Sequence, residues 1–286
     1  MIRALQNQFH SLTKSLDVLY VMEDAKPCSR IMAHEDELGK ILDFFRQNEV
    51  NASISNFKVL KQNTQSSFYS DKSIKIPKDD ARKGYFMLYL SKNNPDKAKE
   101  AEVDNEHIRL GLELGYPKCC CEFFSNNFNE NSADLTLKIL KNSKGFEFPF
   151  CTNIAARHFD INLLSHFPCS FNCEKSINIA KNNLEIIKKH SIELADIFEK
   201  ALKNGILYSE ANGIFILKGI KKTSNISNIN NKSNIELAFN EILTTTTNEL
   251  FRLLQSNKKL TIITKNKIKI NDVIIEGNDK GFMVFY

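Results

Sequence analysis

Leu114-Gly115-Tyr116-Pro117-Lys118-Cys119-Cys120-Cys121 reads as the end of one helix and the start of the next. Gly115 can take the left-handed conformation that ends helices, and Pro117 forbids simple continuation. Upstream, a helix of about 20 residues is expected from Pro95-Asp96 through Ala101, Ile108 and Leu112. Downstream, Cys121, Phe124 and Phe128 share one helical face. A second segment, Ser165-His-Phe-Pro-Cys-Ser-Phe-Asn-Cys173, repeats the design, with a proline close to its first cysteine. From Cys173 the spacing Ile177, Ala180, Leu184, Ile187 is a helical stripe. The two segments hold five of the seven cysteines. Helix N-termini favour thiolates, so two such turns brought together would make a metal or redox site.

The 286 residues suffice for one large or two modest units with a real core. At 42% hydrophobic and 26% charged residues the composition is globular. The net charge of +5 is mild and gives only weak support to nucleic-acid binding. No apolar run approaches the ~20 residues of a membrane span, and Met1 to His10 lacks the apolar stretch of a secretory signal. The expected setting is therefore cytoplasmic, with no membrane partner. In that compartment clustered cysteines lean toward metal binding or catalysis, and their odd number argues against a closed disulfide framework.

The pattern predicts a mixed α/β (α+β) fold in three parts. Residues 1–95 read as a small α/β part, 96–205 as a helical core carrying the cysteine motifs, and 206–286 as a β-rich part. In the first, Asp17 to Met22, Phe57 to Leu60 and Tyr85 to Leu90 read as strands, Glu35 to Gln47 as a helix, and Gln62 to Lys83 as loop. In the second, helices are expected at Asp134 to Leu140 and Asn153 to Leu164. In the third, a hairpin turns at Ala211-Asn212-Gly213. Thr223 to Ser233 reads as loop, Ile235 to Leu254 as helix, and Leu260 to Tyr286 as three strands with turns near Asn266 and Asn278.

Cys119, Cys120, Cys169 and Cys173 are the expected metal ligands. Cys169 and Cys173 are four apart and would share a helical face if Cys169 is the N-cap. Four soft thiolates favour an iron–sulfur cluster or zinc over hard cations. The spacing differs from the paired C-x2-C of common zinc sites. It resembles the cluster-binding pattern of iron–sulfur epoxyqueuosine reductases and of the cysteine-rich heterodisulfide reductase domain, although those pairs show a tighter C-x-x-C. Cys28, Cys151 and Cys121 read as plain buried side chains. His166, three residues before Cys169, can serve as acid/base, as a ligand, or as the base that activates Cys120. Tyr116 is a candidate for contact with a bound molecule, and His158 a weaker candidate than His166. With 10 glycines and no Gly-rich phosphate loop, a nucleotide cradle is not expected.

Leu114-Gly-Tyr-Pro-Lys-Cys-Cys with Phe123-Phe124, followed by His166-Phe-Pro-Cys-Ser-Phe-Asn-Cys173, resembles an uncharacterised prokaryotic family, domain of unknown function 483. The likeness runs from about Tyr85 to Leu217 and implies that Cys119, Cys120, Cys169 and Cys173 are the motif cysteines. It implies no reaction. The leading expectation is an enzyme with a thiolate-bound metal centre, a [4Fe–4S] cluster before zinc, acting in reduction or sulfur transfer on a small molecule. The alternatives are a metal-free cysteine/histidine enzyme of acyl transfer and a zinc-stabilised binding module.

Overall fold

A computed structural model describes residues 1–61, 73–129, 134–227, 233–244 and 246–286. The fold is mixed α/β, with three sheets among the described residues. The chain forms two compact units. One comprises Met1–Ala133, Ser165–Phe167 and Asn178–Ala195; the other comprises Asp134–Leu164, Pro168–Ile177 and Asp196–Tyr286.

The first unit opens with helices α1 (Ile2–Phe9) and α2 (Leu12–Met22). The apolar run from Asp17 to Met22, expected as a strand, is the last part of α2. Ser11 starts this helix by accepting a hydrogen bond from the Lys14 N–H at 3.3 Å. Residues Ser15 to Val21 are all buried, so the helix is apolar nearly all round and its period is hidden. Strand β1 (Ser29–His34), helix α3 (Leu38–Gln47) and strands β2 (Asn51–Lys61), β3 (Ser73–Pro77) and β4 (Tyr85–Ser91) follow. They form an antiparallel sheet in the order β1-β4-β2-β3. The continuous apolar run of β4 is buried, as its sequence implies. Part of the expected loop at 62–83 is strand β3, whose register pairs Ser73 with Lys61; residues 62–72 lie outside the described residues.

The expected 20-residue helix is two helices, α4 (Asp96–Val103) and α5 (His107–Glu113). Asn105 takes φ 56° and breaks the ladder between them. Gly115 has φ 79°, and α6 (Lys118–Asn127) begins just after Pro117. A Cβ at Gly115 would also meet the Pro27 ring at 2.6 Å.

The second unit contains α7 (Thr136–Asn142), the short strand β5 (Glu147–Phe148), and two 3-10 turns, Phe150–Thr152 and Ile154–Phe159, where a helix was expected over 153–164. Along the chain come α8 (Glu174–His190), which buries Ala180, Leu184 and Ile187, and α9 (Ile192–Leu202). The C-terminal stretch is β-rich. Strands β6 (Gly205–Ser209) and β7 (Gly213–Lys218) form the expected hairpin, with Gly213 at φ 99°.

Two expectations here are corrected. Lys221–Ser227 is strand β8, not loop, and residues 228–232 lie outside the described residues. The expected helix over 235–254 is strands β9 (Ser233–Ala238) and β10 (Glu241–Thr244) and only then helix α10 (Glu249–Asn257). Its apolar residues alternate with polar ones early on, and Asn248 supplies the true N-cap by accepting from the Phe251 N–H at 3.0 Å. The end holds four strands rather than three: β11 (Lys259–Thr264), β12 (Lys267–Ile270), β13 (Val273–Glu276) and β14 (Lys280–Phe285). Two sheets result, β10-β7-β6-β14-β5 and β13-β12-β11-β9-β8, sharing a core that includes Phe215, Leu254, Ile270 and Phe282.

Gly115 and Gly145 separate two effects. Both have left-handed φ, but a Cβ at Gly145 meets nothing within 4 Å. Gly145→Ala is expected to lose about 1–2 kcal/mol from backbone strain. Gly115→Ala is expected to lose about 2–5 kcal/mol, because Pro27 adds overpacking. Denaturant unfolding of both variants measures this; equal losses would remove Pro27 as a constraint.

Candidate functional site

Helix α6 places Cys119 and Cys120 in its first turn, where the Cys120 N–H donates to the Pro117 carbonyl at 2.8 Å. Their sulfurs are 3.9 Å apart. Cys120 is buried and Cys119 half-buried. The second cysteine segment is fixed within its own unit. Asn142 donates to the Cys169 carbonyl at 2.7 Å, and the Phe171 N–H donates to the Ser143 hydroxyl at 2.8 Å. Phe171 is fully buried against Phe148 and Phe285. The carbonyl of Cys173 accepts from the Ile177 N–H at 2.9 Å, which makes Cys173 the residue that enters α8. Cys169 is therefore not the N-cap, and the two do not share a helical face as expected; Pro168 holds Cys169 in the turn before the helix. The sulfurs of Cys119, Cys120, Cys169 and Cys173 all lie within 4.8 Å of one another, and this group can hold a metal ion. All seven cysteines are thiols, with no disulfide among them.

Beside Cys120 the first unit contains a cavity of about 260 Å³. Asp17 organises one wall. This buried carboxylate accepts from Lys26 Nζ at 2.5 Å through Oδ1, from the Ser165 hydroxyl through the same oxygen, and from the Ser29 hydroxyl through Oδ2. The short segment Ser165–Phe167 is thereby tied to α2 and β1. His166 and Tyr116 line the cavity with ring centroids 4.9 Å apart. Burial, with Lys26 nearby, pushes the His166 imidazole down to about 3, so it is neutral at physiological pH. Burial likewise raises the Tyr116 phenol. A second polar wall is Arg30, whose Nε and Nη2 donate to Glu102 at 2.5 and 2.6 Å, while Tyr89 donates to the same carboxylate at 2.7 Å.

The remaining sequence candidates lie elsewhere or are inert. Burial pushes the Cys28 and Cys121 thiols up to about 11, which suits packing rather than reaction. Cys121 nevertheless forms part of the cavity wall. Cys151 is buried. His158 lies 3.5 Å from Asp134, beside the 2.7 Å Arg157–Asp134 pair. Asp17, Lys26, Arg30 and Glu102 were not foreseen as site residues. Arg30 and Glu102 are 72 positions apart, and no local pattern marks such a pair.

Compared with family models, curated proteins and solved structures, the chain shows no match. Among the described residues no helix is long and apolar enough to cross a membrane.

Glu102 gives this site an acid signature. Burial would raise its carboxyl, but the Arg30 hydrogen bonds and charge outweigh that and hold it below the usual range. A depressed carboxyl contributes stability that is complete above the ordinary value of about 4.3 and is lost as pH falls through the depressed one. Glu102→Gln is expected to be less stable at pH 7 and to lose less of its remaining stability between pH 6 and 3. Thermal unfolding across that range checks it; parallel curves for variant and native chain would remove Glu102 as a source of acid sensitivity.

Proposed function

We propose that Cys119, Cys120, Cys169 and Cys173 hold a single zinc ion as a closed tetrathiolate, and that the protein handles a small molecule in the cavity beside it. The observation that carries this is the sulfur spacing. Tetrahedral zinc with Zn–S near ~2.3 Å separates its sulfurs by ~3.8 Å. Cys119 and Cys120 stand at 3.9 Å, and the whole group lies within 4.8 Å. An iron–sulfur cluster inserts several atoms among its thiolates and holds them farther apart. The spacing therefore supports one ion over the cluster that the cysteine pattern first suggested.

Four protein ligands leave no open position, so such an ion does not activate water; it organises the segments that bind it. Likeness to domain of unknown function 483 rests on the order and composition of the two motifs and belongs to this proposal, as does a reducing, cytoplasmic setting. A second reading has its own observation: Cys120 and His166 line one cavity. A metal-free thiol enzyme would use Cys120 as nucleophile with His166 as its base, although an imidazole pushed down to about 3 is a weak base and counts against that role.

Metal analysis of protein purified without chelators and without oxygen decides between them. One zinc per chain is expected, falling well below half on Cys169→Ala or Cys173→Ala, with chelation lowering the native Tm. Iron with inorganic sulfide would instead give the cluster. No metal, with one hyper-reactive cysteine toward iodoacetamide, would give the thiol enzyme.

A further inference from the structure

We infer that the cavity of the first unit binds an uncharged, planar heteroaromatic ring bearing a carbonyl oxygen. The inference rests on that unit's own walls and does not require the metal.

The first argument is shape. Among the lining side chains are the rings of Tyr116, Phe124, Phe167 and His166, which fall in two pairs. Tyr116 and His166 are tilted by 32° at 4.9 Å, and Phe124 and Phe167 are near parallel, 18° apart in plane, at 6.3 Å. Flat rings recognise flat rings by offset stacking. The volume of about 260 Å³ is just under the range typical of drug-sized ligands, which suits one or two fused rings.

The second argument is charge. Asp17 and Arg30, which line the cavity together with the exposed His107, are each already paired: Asp17 with Lys26 at 2.5 Å and Arg30 with Glu102 at 2.5 Å. Neutral His166 adds nothing. A ligand carrying a net charge would meet no unpaired carboxylate or guanidinium there.

The third argument is a donor that Arg30 offers to the cavity. Glu102 occupies Nε and Nη2 of Arg30, which leaves the Nη1 amino group, on a side chain about one-third exposed, to donate. A ring carbonyl is the acceptor that this donor fits. Arg30 is also held rigid by its carboxylate, so little is lost in ordering it.

Isothermal titration calorimetry of the full chain tests this with three probes. Hypoxanthine is a neutral fused ring with a carbonyl. Benzoate is an aromatic anion. 2-Piperidone has the carbonyl but no π-face. Hypoxanthine is expected to bind at least tenfold tighter than either of the others. Phe124→Leu and Phe167→Leu are each expected to weaken it about tenfold, the loss of one stacking face. Phe167 sits in a loop, so its variant keeps the test valid if Phe124→Leu fails to fold. Absence of hypoxanthine binding at millimolar concentration overturns the inference. So does benzoate binding more tightly, or 2-piperidone binding equally well. Zinc content is measured on the same samples. Binding that persists in metal-free protein upholds the cavity while sinking the zinc proposal, so the two fail separately.

Discussion

The Asp17 carboxylate sits inside a helix that is apolar nearly all round, and this burial sets the layout of the first unit. A charge in such a place is costly unless it is paired and hydrogen-bonded. Asp17 meets that demand with one ammonium and two hydroxyls, drawn from the chain after α2, from β1, and from Ser165, which is 148 positions away. Satisfying one carboxylate thus fixes three stretches of backbone. Tyr116 and His166 face each other across the result, and the cavity wall follows from that arrangement.

The Arg30–Glu102–Tyr89 group works differently. It spans the sheet and α4, and its bidentate pairing leaves part of the guanidinium facing the cavity. A lysine there would offer its donors from a single point rather than from two edges of a rigid plane. The two ion pairs together explain how Asp17 and Arg30 can line a cavity without leaving it an unpaired carboxylate or guanidinium. What distinguishes ligands in such a site is shape and the direction of single hydrogen bonds.

Legibility in the sequence followed how local each determinant is. Gly115 and Pro117 act on their own backbone, so the helix break and the first-turn position of Cys119 and Cys120 could be read directly. The hairpin at Gly213 was legible for the same reason. Asp17 to Met22 could not be placed, because a run of apolar residues buried on every side shows neither period 2 nor period 3.6. Residues 235–254 misled in the opposite way: one helix was expected across two strands and a helix, since the deciding cap is the single residue Asn248. The site's four thiols were named from their clustering in two short segments that each follow a proline, because that pattern is local. The acid–base pairs that shape the cavity were not, because each joins residues with no sequence relation.

The same distinction bears on how the thiols and the cavity divide their roles. Cys119 and Cys120 stand in the first turn of α6 and belong to the group of four thiols, whereas Cys121, one residue on, lies outside that group and has its thiol pushed up to about 11 by burial. Three consecutive identical residues thus have different chemistry, because a helix turns each by ~100° into a different environment. Cys120 is where the two functions meet: it belongs to the group of four thiols and also lines the cavity. If its sulfur is committed to an ion it cannot attack a ligand, and the ligand then meets a fixed wall. If it is not, the same position is that of a nucleophile. On the proposed readings, the state of one sulfur therefore separates a binding wall from a nucleophile.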